Sequence, residues 1–354
     1  MTRRRRQLRL LGPAVLLAIA VLLVALAAGG SSGPSSPSGG LVAHHPGGPP
    51  ISGVPQTVAV RLRARRTGML PAPIKDAATA ALGQGRVVLL GGLDAEDTST
   101  AAITMLGAGA TNPSGGETSV ANTGARLPEA QHDAQGANLG GDVYVFGGGQ
   151  VESYDHILRY EPANGRVSLV GHLPRPASDV AVTALGNTAY IIGGYDGEQA
   201  LDTILAWRPG GNPTVVGRLP AGLRYAAVAA TSSRVIIAGG STESGASRAI
   251  LSFDPATGRT TLIGSLPHPL THASAANIGN VVYVIGGRGS ALDSQTAAIL
   301  AIDPASGRVQ DAGALALGLS DAAVAVVGEQ IVLAGGQSAS GTQSSIFELT
   351  AVSG

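Results

Sequence analysis

One pattern constrains the fold of this chain more than any other: a short apolar run closed by two glycines. It occurs at Val87–Gly92, Val143–Gly148, Ala189–Gly194, Val235–Gly240, Val282–Gly287 and Ile331–Gly336. From one first glycine to the next the steps are 56, 46, 46, 47 and 49 residues. A fixed period near fifty with strand content points to a propeller-type repeat. Length alone would suggest two domains, but the repeat argues for one closed array.

A full unit is legible between residues 173 and 219. The alternating stretch Asp179–Leu185 suits an inner strand, and Gly186-Asn187 a tight turn. Ala189–Gly194 is the second strand, Thr203–Trp207 the third and Thr214–Val216 the fourth. Four antiparallel strands joined by short turns make one blade. The turns Glu161–Arg166, Asp254–Arg259 and Asp303–Arg308 each place a proline second and a glycine fifth. Proline pre-sets such a turn and glycine supplies its positive φ. The last unit offers only three strands, whereas an extra segment, Val58–Arg63, precedes the first unit and ends at Leu70-Pro71. The expectation is that this segment completes the last blade and so removes two open sheet edges.

The glycine pairs, the aromatic-Asp-Pro at the third strand, complete in Phe253-Asp254-Pro255, and the Leu-Pro before five of the six inner strands resemble the Kelch family of β-propellers. The resemblance covers residues 56–354 and implies an all-β, six-bladed Kelch-type β-propeller. The chain departs from the family in lacking its fourth-strand tryptophan. The third-strand tyrosine is kept as Tyr160 but is Trp207, Phe253 and Ile302 elsewhere.

Ahead of the repeats, Arg3, Arg4, Arg5, Arg6 and Arg9 precede an uncharged apolar run from residue 10 to residue 28. Residues 1–28 read as a signal peptide or a transmembrane anchor, with the arginines on the cytoplasmic side. Ala25-Leu26-Ala27 resembles a cleavage site, yet the run is long enough to span a bilayer. Twenty of the 27 residues from 29 to 55 are Gly, Ser or Pro, which predicts a disordered, flexible linker. His44-His45 within it suggests no site. The expected location is the cytoplasmic membrane with the C-terminal domain outside, or secretion if the leader is cleaved.

Formal net charge is zero, and nothing points to nucleic acid. The chain has no cysteine, which excludes disulfides, thiolate metal sites and a cysteine nucleophile. It also excludes the chemistry of related copper oxidases, which use a cysteine cross-linked to tyrosine. Sialic acid mutarotases resemble the chain in blade number and compartment, but their catalytic residues find no counterpart here. No cofactor is implied. The glycine pairs lack the helix a phosphate loop needs, and no catalytic signature motif occurs.

Aligning the units on Leu-Pro, with Leu315-Ala316 in its place in the last unit, puts Asp76, Asp133, Asp179, Tyr225, His272 and Asp321 at the entries of the six inner strands. In a propeller these entries form a ring at one mouth of the central channel. Lys75, His132, Ser178, Arg224, Thr271 and Ser320 precede them. The loops after the glycine pairs open on the same face and add Tyr195, Asp196 and Arg288, with the acids Asp94, Glu96 and Asp97. A recurring aspartate at a strand entry reads first as a structural device, its carboxylate accepting amides of the preceding turn. The units that break the pattern, Arg224-Tyr225 and Thr271-His272, are the better candidates for a ligand. A calcium site at Asp94, Glu96 and Asp97 has suitable hard ligands but matches no known loop spacing. The functional expectation is a non-catalytic recognition module whose mouth binds a protein segment or a cell-envelope glycan. The alternative is a carbohydrate-active enzyme with His272 or a ring aspartate as acid/base.

Overall fold

The computed structural model describes residues 61–107 and 117–352. The leader, the Gly/Ser/Pro-rich segment and Val58–Val60 lie outside the described residues. The described chain is built entirely of strands and turns, with no helix among them. It forms six blades. Blade 1 has the strands Ala78–Ala81, Val87–Leu90, Ala102–Leu106 and Val120–Arg126. Blade 2 has His132–Leu139, Asp142–Gly149, His156–Glu161 and Arg166–His172. Blade 3 has Ala181–Leu185, Thr188–Ile192, Thr203–Trp207 and Thr214–Arg218. Blade 4 has Ala227–Ala230, Val235–Ala238, Gly245–Asp254 and Arg259–Leu270, plus a short strand at Ser241–Thr242. Blade 5 has Ser274–Ile278, Val281–Ile285, Ala298–Ile302 and Val309–Ala314.

Blade 6 takes three strands from the C-terminus, Ala323–Val327, Gln330–Ala334 and Ser345–Ala351. Its outer strand is Leu62–Met69, paired antiparallel with Ser345–Ala351. The closure expected from the sequence is therefore present, although the strand runs further toward Leu70 than the predicted segment. A cross-strand ion pair sits in it: Arg65 Nη2 lies 3.1 Å from Glu348 Oε2, whose side chain is 5% exposed. The inner strand of each blade packs on those of both neighbours, blade 6 on blade 1 included.

The central run of each second strand is apolar because both its faces are covered. Val88 and Leu90 pack toward blade 2, whereas Val87 and Leu89 pack toward blade 6. The core is thus six separate clusters, one between each pair of adjacent blades. The variable third-strand position fills these clusters: Tyr160, Trp207, Phe253 and Ile302 are all at most 2% exposed. An aromatic or a branched aliphatic side chain serves equally there, which is why the tyrosine is dispensable.

The glycine pairs join one blade to the next. In Gly193-Gly194, both residues have positive φ, and Gly194 N donates to Leu223 O of blade 4 at 2.9 Å. A Cβ on Gly193 would stand 2.1 Å from that same carbonyl oxygen. Only glycine permits both the backbone conformation and this approach. The second glycine makes the same bond in every blade, to Gln131, Ala177, Leu223, Leu270, Leu319 and Ile74 in turn.

Candidate functional site

The six ring positions converge as the repeat alignment requires. Asp76, Asp133, Asp179, Tyr225, His272 and Asp321 all have φ between 51° and 58°. In that conformation each backbone N–H points at the ring carbonyl of the preceding blade. Asp133 N donates to Asp76 O, Asp179 N to Asp133 O, Tyr225 N to Asp179 O, His272 N to Tyr225 O and Asp321 N to His272 O, at 3.0–3.2 Å. Asp76 N closes the circle on Asp321 O at 3.0 Å. The recurrence of aspartate follows from this geometry, since short polar residues tolerate the left-handed region best. The expectation that these carboxylates accept amides of the preceding turn is not met. The amides are spent on the ring, and the carboxylates turn to side chains.

The mouth has two unlike halves. Asp321, Asp76, Asp133 and Asp179 form a continuous acidic arc across blades 6, 1, 2 and 3. Burial, then the charges of Asp321 and Asp133, pushes the Asp76 carboxyl well above the usual carboxylate range. Burial, then Asp179, does the same to Asp133. Asp321 is also raised by burial, although Ser320 Oγ donates to its Oδ2 at 2.6 Å. Asp179, with a side chain 2% exposed, is paired with the Arg224 guanidinium through both Nε and Nη2. Buried like charges disfavour one another's ionised form, which is the physical cause of the upward shifts at Asp76 and Asp133.

Tyr225 and His272 make the other half. Their rings stack at 3.7 Å between centroids, with 21° between planes. Tyr225 Oη donates to Asp133 Oδ2 at 3.2 Å, and burial holds its phenol protonated. Arg288 Nη2 lies 3.1 Å from His272 Nε2, and Thr271 Oγ1 lies 3.0 Å from His272 Nδ1. A guanidinium only donates, so Nε2 accepts and the imidazole proton sits on Nδ1, facing Thr271. Burial, then the charges of Arg288 and Arg224, pushes the His272 pKa down to about 3. His272 is therefore a neutral group that positions Arg288, which makes no ion pair with a carboxylate among the described residues.

Tyr195 and Asp196 stand just outside the ring on the loop after the blade 3 glycine pair. Arg224 Cζ lies 4.2 Å from the Tyr195 ring centroid, and Tyr195 Oη donates to Gly197 O at 2.9 Å. Asp196 serves its own loop. It accepts from the amides of Glu198 and Gln199, and Arg175 Nη1 lies 3.1 Å from its Oδ2. Partial burial raises its pKa, but these hydrogen bonds outweigh that and hold it below the ordinary value. On blade 1, Asp94 accepts the amides of Glu96 and Thr98, and Asp97 pairs with Lys75 at 2.6 Å. Those carboxylates are committed to loop structure, and no group of three or more metal-ligating side chains among the described residues could hold an ion.

Inside the ring the channel opens into a cavity of about 450 Å³. Its walls are largely alanine and valine from the inner strands, among them Ala80, Ala137, Val182, Ala229, Ala276 and Val324. Sequence reasoning placed all ten candidate residues on one face. It did not find the second cavity beside the mouth, between the loops of blades 2 and 3, because loop conformation leaves no periodic signal.

A comparison with known proteins bears on the fold alone. No curated protein sequence matches the chain. Among solved structures, that of YjhT superposes with a TM-score of 0.68. It covers 80% of this chain and 96% of that one, at 16% identity. A Kelch motif model matches residues 176–212, the inner three strands of blade 3. The same unit recurs in all six blades, with the same glycine-pair bond and the same ring position, and the chain is a Kelch-repeat β-propeller.

Proposed function

We propose that the protein is a non-catalytic recognition module and that its channel mouth binds the hydroxyl-rich end of a glycan. The observation that carries this is the division of the mouth: acidic acceptors on one arc, Arg288 and Arg224 with two aromatic rings on the other. A polyol offers hydroxyl donors to the first and oxygen acceptors to the second, and few precisely placed polar groups in a concave site are the usual basis of small-ligand specificity. From residues 1–28 we further propose that the propeller works outside the cytoplasmic membrane, on cell-envelope material. The test is calorimetry and thermal shift of the full chain against a panel of sugars. Binding that raises the melting temperature and is lost in Arg288→Ala supports the reading. No shift with any sugar, together with capture of a protein segment at the mouth, would replace the glycan with a protein ligand.

A second reading has one observation in its favour. Burial and neighbouring carboxylates raise the Asp76 and Asp133 carboxyls well above the usual carboxylate range at the edge of a cavity, the direction a general acid needs. A sugar mutarotase or epimerase activity would appear as accelerated anomeric exchange by NMR, abolished by Asp133→Asn. Exchange at the uncatalysed rate would leave the binding role alone.

A further inference from the structure

A second cavity of about 740 Å³ adjoins the mouth. It shares His132 and Asp133 with the ring's surroundings and runs outward between the loops of blades 2 and 3. This volume lies within the range of small-ligand sites, roughly 300–1,000 Å³. Its floor is fixed rather than loose. Ser153 Oγ donates to Tyr195 O at 3.0 Å and bonds Ser178 Oγ at 3.1 Å, which ties the blade 2 loop to blade 3. The Tyr195 ring lines the cavity and is held by its own hydroxyl and by Arg224 of blade 4. A rigid aromatic platform therefore stands where the mouth passes into the groove.

We propose that this groove is an extended subsite, in which a linear saccharide leaving the mouth lays its next rings on Tyr195. This rests on the mouth being a glycan site. The lining selects the ligand class. Val151 and Pro176 are the only aliphatic side chains, which leaves no apolar pocket to anchor a peptide side chain. Gln150, Ser153 and Ser178 supply neutral donors and acceptors suited to hydroxyls. Glu152, Asp196 and Glu198 outnumber Arg175, so the groove disfavours anionic sugars and admits neutral or amino-bearing ones. A single sugar ring fills the mouth alone, so affinity rises with chain length.

The test measures binding of β-1,4-linked glucose, N-acetylglucosamine and glucosamine series, one to four units long, to the full chain. The expected result is that the trisaccharide of one neutral or amino-bearing series binds about tenfold more tightly than its monosaccharide. Gln199→Trp, an exposed loop substitution that fills the groove, removes that gain and leaves monosaccharide binding unchanged. Equal affinity at every length, or a gain that persists in Gln199→Trp, overturns the groove while the mouth reading stands. Binding of no saccharide at any length overturns both, and tighter binding of a lysine-rich peptide that Gln199→Trp blocks replaces the saccharide with a peptide.

Discussion

Gln131 occupies a position that is apolar in the other five blades. Its carbonyl accepts the bond from Gly92, just as Ala177, Leu223, Leu270, Leu319 and Ile74 accept from the other second glycines. The residue is 1% exposed, and neither its Nε2 nor its Oε1 has a hydrogen-bond partner among the described residues. An unsatisfied buried polar group costs about 1–3 kcal/mol, and leucine has nearly the same volume as glutamine. Gln131→Leu removes the penalty and places a side chain that the same site already holds in blades 4, 5 and 6. The expected gain is about 1–3 kcal/mol, or about 2–6 °C in melting temperature for a domain of this size. Thermal melts followed by circular dichroism, paired with urea melts at constant m-value, measure it. The inverse change, Leu223→Gln, should lower stability by at least as much, since it also loses buried leucine. A Gln131→Leu protein that melts below the wild type would refute the reasoning and show that the amide has a partner or a task in blade 2.

Gly193→Ala sets a Cβ against the Leu223 carbonyl at positive φ and should cost about 3–5 kcal/mol by urea denaturation. Arg224→Ala leaves Asp179 buried without its counter-charge beside Asp133, a loss of about 2–4 kcal/mol, and adding Asp179→Asn should restore most of it. The Asp76 carboxyl has a higher pKa folded than its ordinary 3.8, so its contribution is intact below that pH and is lost as pH climbs through the folded value. Asp76→Asn should therefore raise the melting temperature at pH 7 and have little effect at pH 3. Deleting residues 56–70 strips the outer strand from blade 6 and exposes the edge of Ser345–Ala351; size-exclusion chromatography should find aggregate in place of a soluble monomer.

The blade count and the closure of the ring were legible in the sequence because they rest on local signals. A glycine pair is forced wherever the chain must turn at positive φ against a neighbour's carbonyl, and it recurs at each of the six places where that happens. The ring residues could be located by the same counting. Their use of the backbone could not, since nothing in four aspartates separates a side-chain cap from a left-handed residue, and Tyr225 and His272 at equal φ point away from it. The neutral state of His272 depends on Arg288 arriving from the loop of the same blade and on burial against the Tyr225 ring, and neither is written in the local sequence. Gln131 was invisible for a related reason: one polar residue in an otherwise apolar column looks like an exposed position until its neighbours close over it.

The circle of amides at the mouth is made by main chain alone, so it is indifferent to the side chains it displays. Asparagine, histidine, aspartate or glycine can be exchanged at any of the six stations without breaking a link, at the cost of only local conformational preference. The scaffold and the chemistry it presents are thereby decoupled, and a chain of this kind can change what it recognises by substituting single residues around a fixed rim, leaving every blade as it was.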